Sequence, residues 1–225
     1  FNMGVTSLLI GEEDRSIKCF EQALAVAKRK PETNNKNDLL MQLGKLYCRT
    51  GKFSKAVTLF ESTNLIKEGS SKGLAGDTVL RYLGEAYKGT GKNKKAVTVL
   101  QRAIHYNPHD AFSLSMLGEL YAVENQGDDI ALSLCEQAVE LDDVPWMYWY
   151  RLAWIRYRLK DYDLALKDVR ECSRRNNKSL QTLMLAGKIY AKMGRKRLAA
   201  AKYEKVLSLD PAHRKATAEL SKIRE

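Results

Sequence analysis

The sequence predicts an all-helical chain built from repeated helix hairpins, and three observations carry that expectation. Thr78–Pro108 reads TVLRYLGEAYKGTGKNKKAVTVLQRAIHYNP, with Leu80, Leu83 and Tyr87 at helical spacing on one face. Ala96, Val99, Leu100, Ala103 and Ile104 form a second stripe, which Pro108 stops. Gly91 lies between the two stripes, where a tight turn requires positive φ. The same step then recurs along the chain: Gly4, Gly44 and Gly84 are 40 residues apart, and Gly84 and Gly118 are 34 apart. Finally, the 225 residues include only 4 prolines, and long segments are rich in Ala, Leu, Lys, Arg and Glu, which favours helix throughout.

Taken in order, residues 1–33 form an incomplete first hairpin. Met3-Gly4 stands at the Leu-Gly step, Ser7 at the tyrosine step and Gly11 at the turn. Ile17, Phe20, Ala23 and Leu24 make the second helix, expected to run to Lys30 before Pro31. Phe1 falls inside the first helix of this hairpin, so an excised fragment is expected. Residues 38–69 carry Leu40, Leu43-Gly44, Tyr47, Gly51, Phe53, Ala56 and Phe60. The stretch KEGSSKGLAGD that follows reads as a loop, with Asp77 or Thr78 capping the next helix.

Residues 77–110 are the stretch described first. In 111–144, Leu114, Leu117-Gly118 and Tyr121 precede a turn, VENQGDD, that is one residue longer than its neighbours, then Ala131, Cys135, Ala138 and Val139. In 145–178 the pattern is Trp149, Leu152-Ala153, Tyr162, Ala165 and Cys172, with Ala153 replacing the glycine and Arg156 replacing the tyrosine. Residues 179–211 follow the pattern closely, through Leu183, Gly187, Tyr190, Gly194, Ala199, Tyr203 and Pro211. Residues 212–225 read as one more helix, with Ala216 and Leu220 inward. It either covers the apolar end of the stack or begins a further repeat.

The order of a large apolar residue, Leu-Gly, Tyr, then Ala, Phe and Pro resembles the tetratricopeptide repeat. Leu80 takes the place of the usual Trp and Leu100 that of the usual Phe. The resemblance covers nearly the whole chain in about six repeats. It implies an all-α, right-handed solenoid of antiparallel helix pairs, one body over 1–225, acting as a non-catalytic protein-interaction scaffold. In that family the first helix of each hairpin lines a concave groove for an extended peptide or a partner's helix. By register, the groove positions are Tyr150, Trp154, Tyr157 and Arg158 in the fifth repeat, with Met184, Lys188 and Lys192 in the sixth. The third repeat offers Arg81, Glu85 and Lys88, the second Met41, Lys45 and Arg49, and the fourth Ser115 and Glu119. Trp149, Leu152 and Ala153 are expected to point into the core, and Trp146 and Tyr148 to pack on the preceding repeat. The family's carboxylate clamp needs an Asn in this register, and these positions supply none.

The formal net charge of +11 is unevenly spread. Residues 1–149 hold 18 Lys and Arg against 19 Asp and Glu, whereas 150–225 hold 20 against 8. An acidic protein or peptide partner is therefore expected on the last third of the chain. The alternative is single-stranded nucleic acid, with Trp154 and Tyr157 stacking on bases. Self-assembly through the ends of the stack is a third possibility.

Cys19, Cys48, Cys135 and Cys172 are scattered through predicted helices, as small buried residues of a reducing compartment would be, and a cytoplasmic setting is the expectation. No apolar run approaches the ~20 residues that span a bilayer. GTGKNKK lacks the first glycine and the Ser/Thr of a phosphate-binding loop and has no strand before it. His105 and His109 are separated by Pro108 and so do not share a helical face as metal ligands would. No cofactor, metal or catalytic constellation is expected.

Overall fold

The computed structural model describes residues 11–29, 36–62 and 75–224, and among them every regular element is an α-helix. They form two compact units, Phe1–Pro108 and His109–Glu225. The first holds α1 (Glu13–Arg29), α2 (Lys36–Arg49), α3 (Phe53–Glu61), α4 (Ala75–Gly89) and α5 (Asn93–Tyr106). The second holds α6 (Ala111–Val123), α7 (Asp128–Leu141), α8 (Trp146–Arg158), α9 (Tyr162–Arg175), α10 (Leu180–Lys192), α11 (Lys196–Leu209) and α12 (Arg214–Arg224). The Met3-Gly4 step, Ser7, Pro31 and most of the KEGSSKGLAGD stretch lie outside the described residues. Neither Asp77 nor Thr78, the two residues expected at the cap, caps α4. α4 already begins at Ala75, so Asp77 sits in its first turn and its Oδ1 accepts from the following amide, Thr78 N, at 2.6 Å.

One turn chemistry closes the second to sixth hairpins. After α2, the Gly51 amide donates to Cys48 O and the Lys52 amide to Tyr47 O at 2.8 Å. This is the 6→1 bond of a Schellman turn, which places one residue in the left-handed region. Gly51, Gly91 and Gly194 hold that position at φ +71°, +74° and +72°. In the longer fourth turn Asn125 holds it at +53°, and Gly127 is the extra residue. In the fifth turn Lys160 holds it at +67°, with the same pair of bonds from Lys160 N to Tyr157 O and Asp161 N to Arg156 O.

The recurrent helical glycine has a different cause. A Cβ at Gly44 would stand 2.1 Å from the Phe60 ring, at Gly84 2.6 Å from Leu100, and at Gly187 2.4 Å from Tyr203. Each large side chain of a second helix lies directly on the glycine of the first, so the two backbones can approach closely. Where Ala153 replaces glycine, it shares a core cluster with the smaller Val169. Phe20, Leu43, Phe60, Leu83 and Leu100 anchor the core of the first unit, and Leu120, Leu152, Ile155, Ile189 and Tyr203 that of the second, all under 2% exposed. α12 packs Ala216 and Leu220 against Leu183, Tyr203 and Val206, as the sequence predicts.

Candidate functional site

The expected groove residues belong to the two units, and each set is taken by itself. In the second unit they lie on α8, whose sequence WMYWYRLAWIRYR puts an aromatic residue or arginine at most positions. Leu152, Ala153 and Ile155 fill the core beneath it. Tyr150, Trp154 and Tyr157 are half-buried and pack against a cluster that includes Leu166 of α9 and Leu185, Ala186 and Ile189 of α10. Burial raises the phenols of both Tyr150 and Tyr157 above the ordinary tyrosine value. Tyr150 meets Trp146 edge-on at 6.2 Å, and Tyr157 meets Tyr162 at 5.9 Å. The three aromatics thus fill the seam between α8 and α10, each keeping some exposed surface. Trp149 is half-buried rather than enclosed, and its indole donates to Asp143 O at 2.8 Å.

The arginines of this region face acids of the preceding hairpin. Residues 103–150 contain nine acidic residues and no Lys or Arg. Arg151, only 5% exposed, donates through Nε to Glu119 at 2.7 Å and through Nη1 to Ser115 Oγ at 3.1 Å. Arg156 reaches Glu136 at 2.8 Å through Nη2, while its Nη1 holds both oxygens of Asp168 at 2.7 and 2.8 Å. Arg158 lies over the Trp154 ring, 5.3 Å from its centroid, and donates to Asn125 Oδ1 at 2.8 Å, with Asp128 3.4 Å away. Arg175 lies over Trp149 at 5.1 Å and pairs with Asp143 at 2.8 Å and with Glu171. Four arginines therefore tie the α8–α9 hairpin to α6–α7. Neither Arg151 nor Arg156 is among the expected groove positions, although Arg156 stands out as the residue in the tyrosine's place, and the acidic run before them is the signal that points to their role.

Two expected groove positions are closed. Ser115 is fully buried beneath Arg151, and Met184 is 9% exposed within the α10–α11 core. Lys188 and Lys192 are exposed, and neither makes an ion pair among the described residues. They fall on one helical stripe with Leu185 and Ile189, the stripe that α10 turns toward the aromatic seam.

In the first unit, Lys45 and Arg81 converge on one ring. Lys45 Nζ lies 5.5 Å from the Tyr82 centroid and the Arg81 guanidinium 4.9 Å from it, with Arg81 Nη2 3.3 Å from Tyr82 Oη. Tyr82 is not one of the groove positions that the register marks. Arg49 pairs instead with Glu13 of α1 at 2.9 Å, and Lys88 is half-buried near the end of α4. The pattern tyrosines are held by acids across neighbouring hairpins. Tyr47 donates to Glu21 at 2.5 Å and Tyr87 to Glu61 at 2.6 Å, and burial, helped by the Glu61 bond, pushes Tyr87 up to about 12.

Among the described residues no helix is long and apolar enough to cross a membrane. Similarity to solved structures fixes the fold. A chain of the Cut9-Hcn1 assembly of the APC/C matches with a TM-score of 0.85 at 16% identity, over 99% of this chain and 42% of its own length. A thermophilic tetratricopeptide-repeat protein from Thermus thermophilus matches at 0.66 and 19% identity, over 83% of this chain and 98% of its own. YrrB, described as a tetratricopeptide-repeat protein with an unusual peptide-binding site, matches at 0.60 and 18%, over 85% and 95%. This chain therefore spans less than half of the Cut9-Hcn1 chain. No curated protein matches the sequence. A tetratricopeptide-repeat profile matches residues 180–213, and a longer profile, of the Chs5p-Arf1p-binding proteins, matches residues 19–194. Most of the sequence lies within that second match, and the chain belongs to the ChAPs family of Chs5p-Arf1p-binding proteins.

Proposed function

We propose that the chain is a non-catalytic docking body that holds an extended or helical, acidic segment of a protein partner on the face of α8 and α10. The observation that carries this reading is the uncommitted pair Lys188 and Lys192 on the stripe facing Tyr150, Trp154 and Tyr157. The arginines nearby are already paired within the chain, so the two lysines are what an incoming acid meets there.

Magnitudes assign the roles. Exposed lysine pairs contribute under about 1 kcal/mol each, whereas a micromolar complex needs about 8 kcal/mol. The lysines therefore orient the segment, and apolar burial on the partly open aromatics supplies most of the affinity. The family name points to Chs5p- and Arf1p-type proteins as the partners to test first.

The test is nuclease-treated affinity capture and titration with those two partner types, comparing the wild type with Lys188→Glu/Lys192→Glu and with Trp154→Ala. Loss of one partner in the lysine variant, with an unchanged melting temperature, supports the α8–α10 face. Equal capture by all three forms removes it. Capture that depends on nuclease-sensitive material places the basic surface on nucleic acid instead.

A further inference from the structure

A cleft of about 390 Å³ opens between α9, α10 and α11, sharing Leu166 and Ala186 with the cluster beneath the docking face but none of its aromatics or lysines. Its floor is apolar, formed by Leu166, Val169 and Ala186. Its rim carries three cations: Arg170 and Arg174, one turn apart on α9, and Lys202 on α11. Ser173 and Tyr190 complete the lining, and no carboxylate residue is part of it. Arg170 and Lys202 make no ion pair among the described residues.

Arg174 is bound at 2.7 Å to Glu171, three residues away, with its own side chain 75% exposed. A surface pair of this kind is readily exchanged. Glu171 Oε2 is also held by Arg175 at 2.8 Å, so the carboxylate stays paired when Arg174 turns toward a ligand.

We infer that this cleft receives a phosphorylated serine or threonine side chain from a protein partner. Three cations around one opening suit a dianion better than a single carboxylate. A phosphate monoester carries about −1.5 to −2 charges at neutral pH and three acceptor oxygens. Guanidinium groups match those oxygens two at a time, Lys202 adds a point charge, and the Ser173 and Tyr190 hydroxyls donate to what remains. The apolar floor takes the side chain next to the phosphorylated residue. Charge complementarity thus sets the class of ligand, and the floor requires that the phosphate come attached to a peptide rather than free.

The experiment is calorimetric titration of the chain with a capped heptapeptide, GELXLEG, in which X is phosphoserine, glutamate or serine. Inorganic phosphate and a single-stranded oligothymidine serve as competitors. The phosphopeptide is expected to bind about tenfold more tightly than the glutamate form, with the serine form weakest. Arg170→Glu/Lys202→Glu brings the phosphopeptide down to the serine level, while Lys188→Glu/Lys192→Glu leaves it unchanged. Should the double reversal unfold, Arg170→Gln/Lys202→Gln makes the same comparison. Equal binding of the three peptides, or binding that survives in the Arg170/Lys202 variants, overturns the proposal. Displacement of the phosphopeptide by inorganic phosphate alone at equal concentration, or tighter binding of the oligothymidine, also overturns it.

Discussion

Arg156 Nη1 grips both carboxylate oxygens of Asp168, at the position where the second, third, fourth and sixth hairpins place a tyrosine. The Asp168 side chain is 4% exposed, and burial raises its carboxyl from 3.8 to about 6 despite the guanidinium beside it. The protonated acid is therefore favoured by folding. Its contribution to stability is full below pH 3.8 and is lost as the pH rises through about 6. Removing the cation exposes the same imbalance. Arg156→Ala is expected to cost about 3 kcal/mol at neutral pH, where Asp168 is left charged and buried without its partner. The cost should be clearly smaller at pH 4, where Asp168 is protonated. Urea melts at the two pH values check this.

Lys160 adopts φ +67° in a turn whose equivalents after α2, α4 and α10 use glycine. An L side chain in the left-handed region is strained, while glycine is not. Lys160→Gly should raise stability by about 1 kcal/mol without altering the hydrogen bonds of the turn, as a shift in the urea midpoint will show.

Tyr203 is fully buried on Gly187, and its hydroxyl finds no hydrogen-bond partner among the described residues. Tyr203→Phe removes an unsatisfied polar atom and keeps the ring, so stability should rise by about 1 kcal/mol. Gly187→Ala should have the opposite effect, losing about 2 kcal/mol as its Cβ meets the same ring. Combining Gly187→Ala with Tyr203→Val reproduces the Ala153–Val169 arrangement and should recover part of that loss in a double-mutant cycle.

Cys48, Cys135 and Cys172 are buried, and burial raises all three thiols, Cys135 to about 12. The thiolate is the nucleophile, so these three should resist iodoacetamide at pH 8 in the native chain. Cys19, half-buried on α1, should label first. Mass spectrometry after timed quenching, with and without denaturant, distinguishes the two classes.

The hairpins were legible because their causes are local. A left-handed glycine at the turn and a glycine beneath a large residue 16 positions later both leave fixed spacings in the sequence. Not every close approach does. Gly89 lies against the Phe53 ring of a neighbouring helix, and nothing near either residue announces it. The start of α4 was misread because Asp77 suits the first turn of a helix as well as its cap. The candidate face was read in part. Aromatic register placed Tyr150, Trp154 and Tyr157 on one seam, but charge alone could not separate Arg158, which reaches back to Asn125 and Asp128, from Lys188 and Lys192, which are exposed. Partners some 20 to 36 positions apart leave no periodic trace. Much of the apparent demand for an acidic ligand is met by the chain's own fourth hairpin.

The run from residue 103 to 150 without Lys or Arg has a further consequence for anyone cutting the protein. Trypsin has no bond to cleave between Arg102 and Arg151, so α6 and α7 leave any complete digest on a single large peptide. Crosslinkers that require lysine are blind to the same segment. A partner resting on this hairpin would go unseen by the usual amine-based mapping, and carboxylate-directed reagents or glutamyl endopeptidase are the tools that would reveal it.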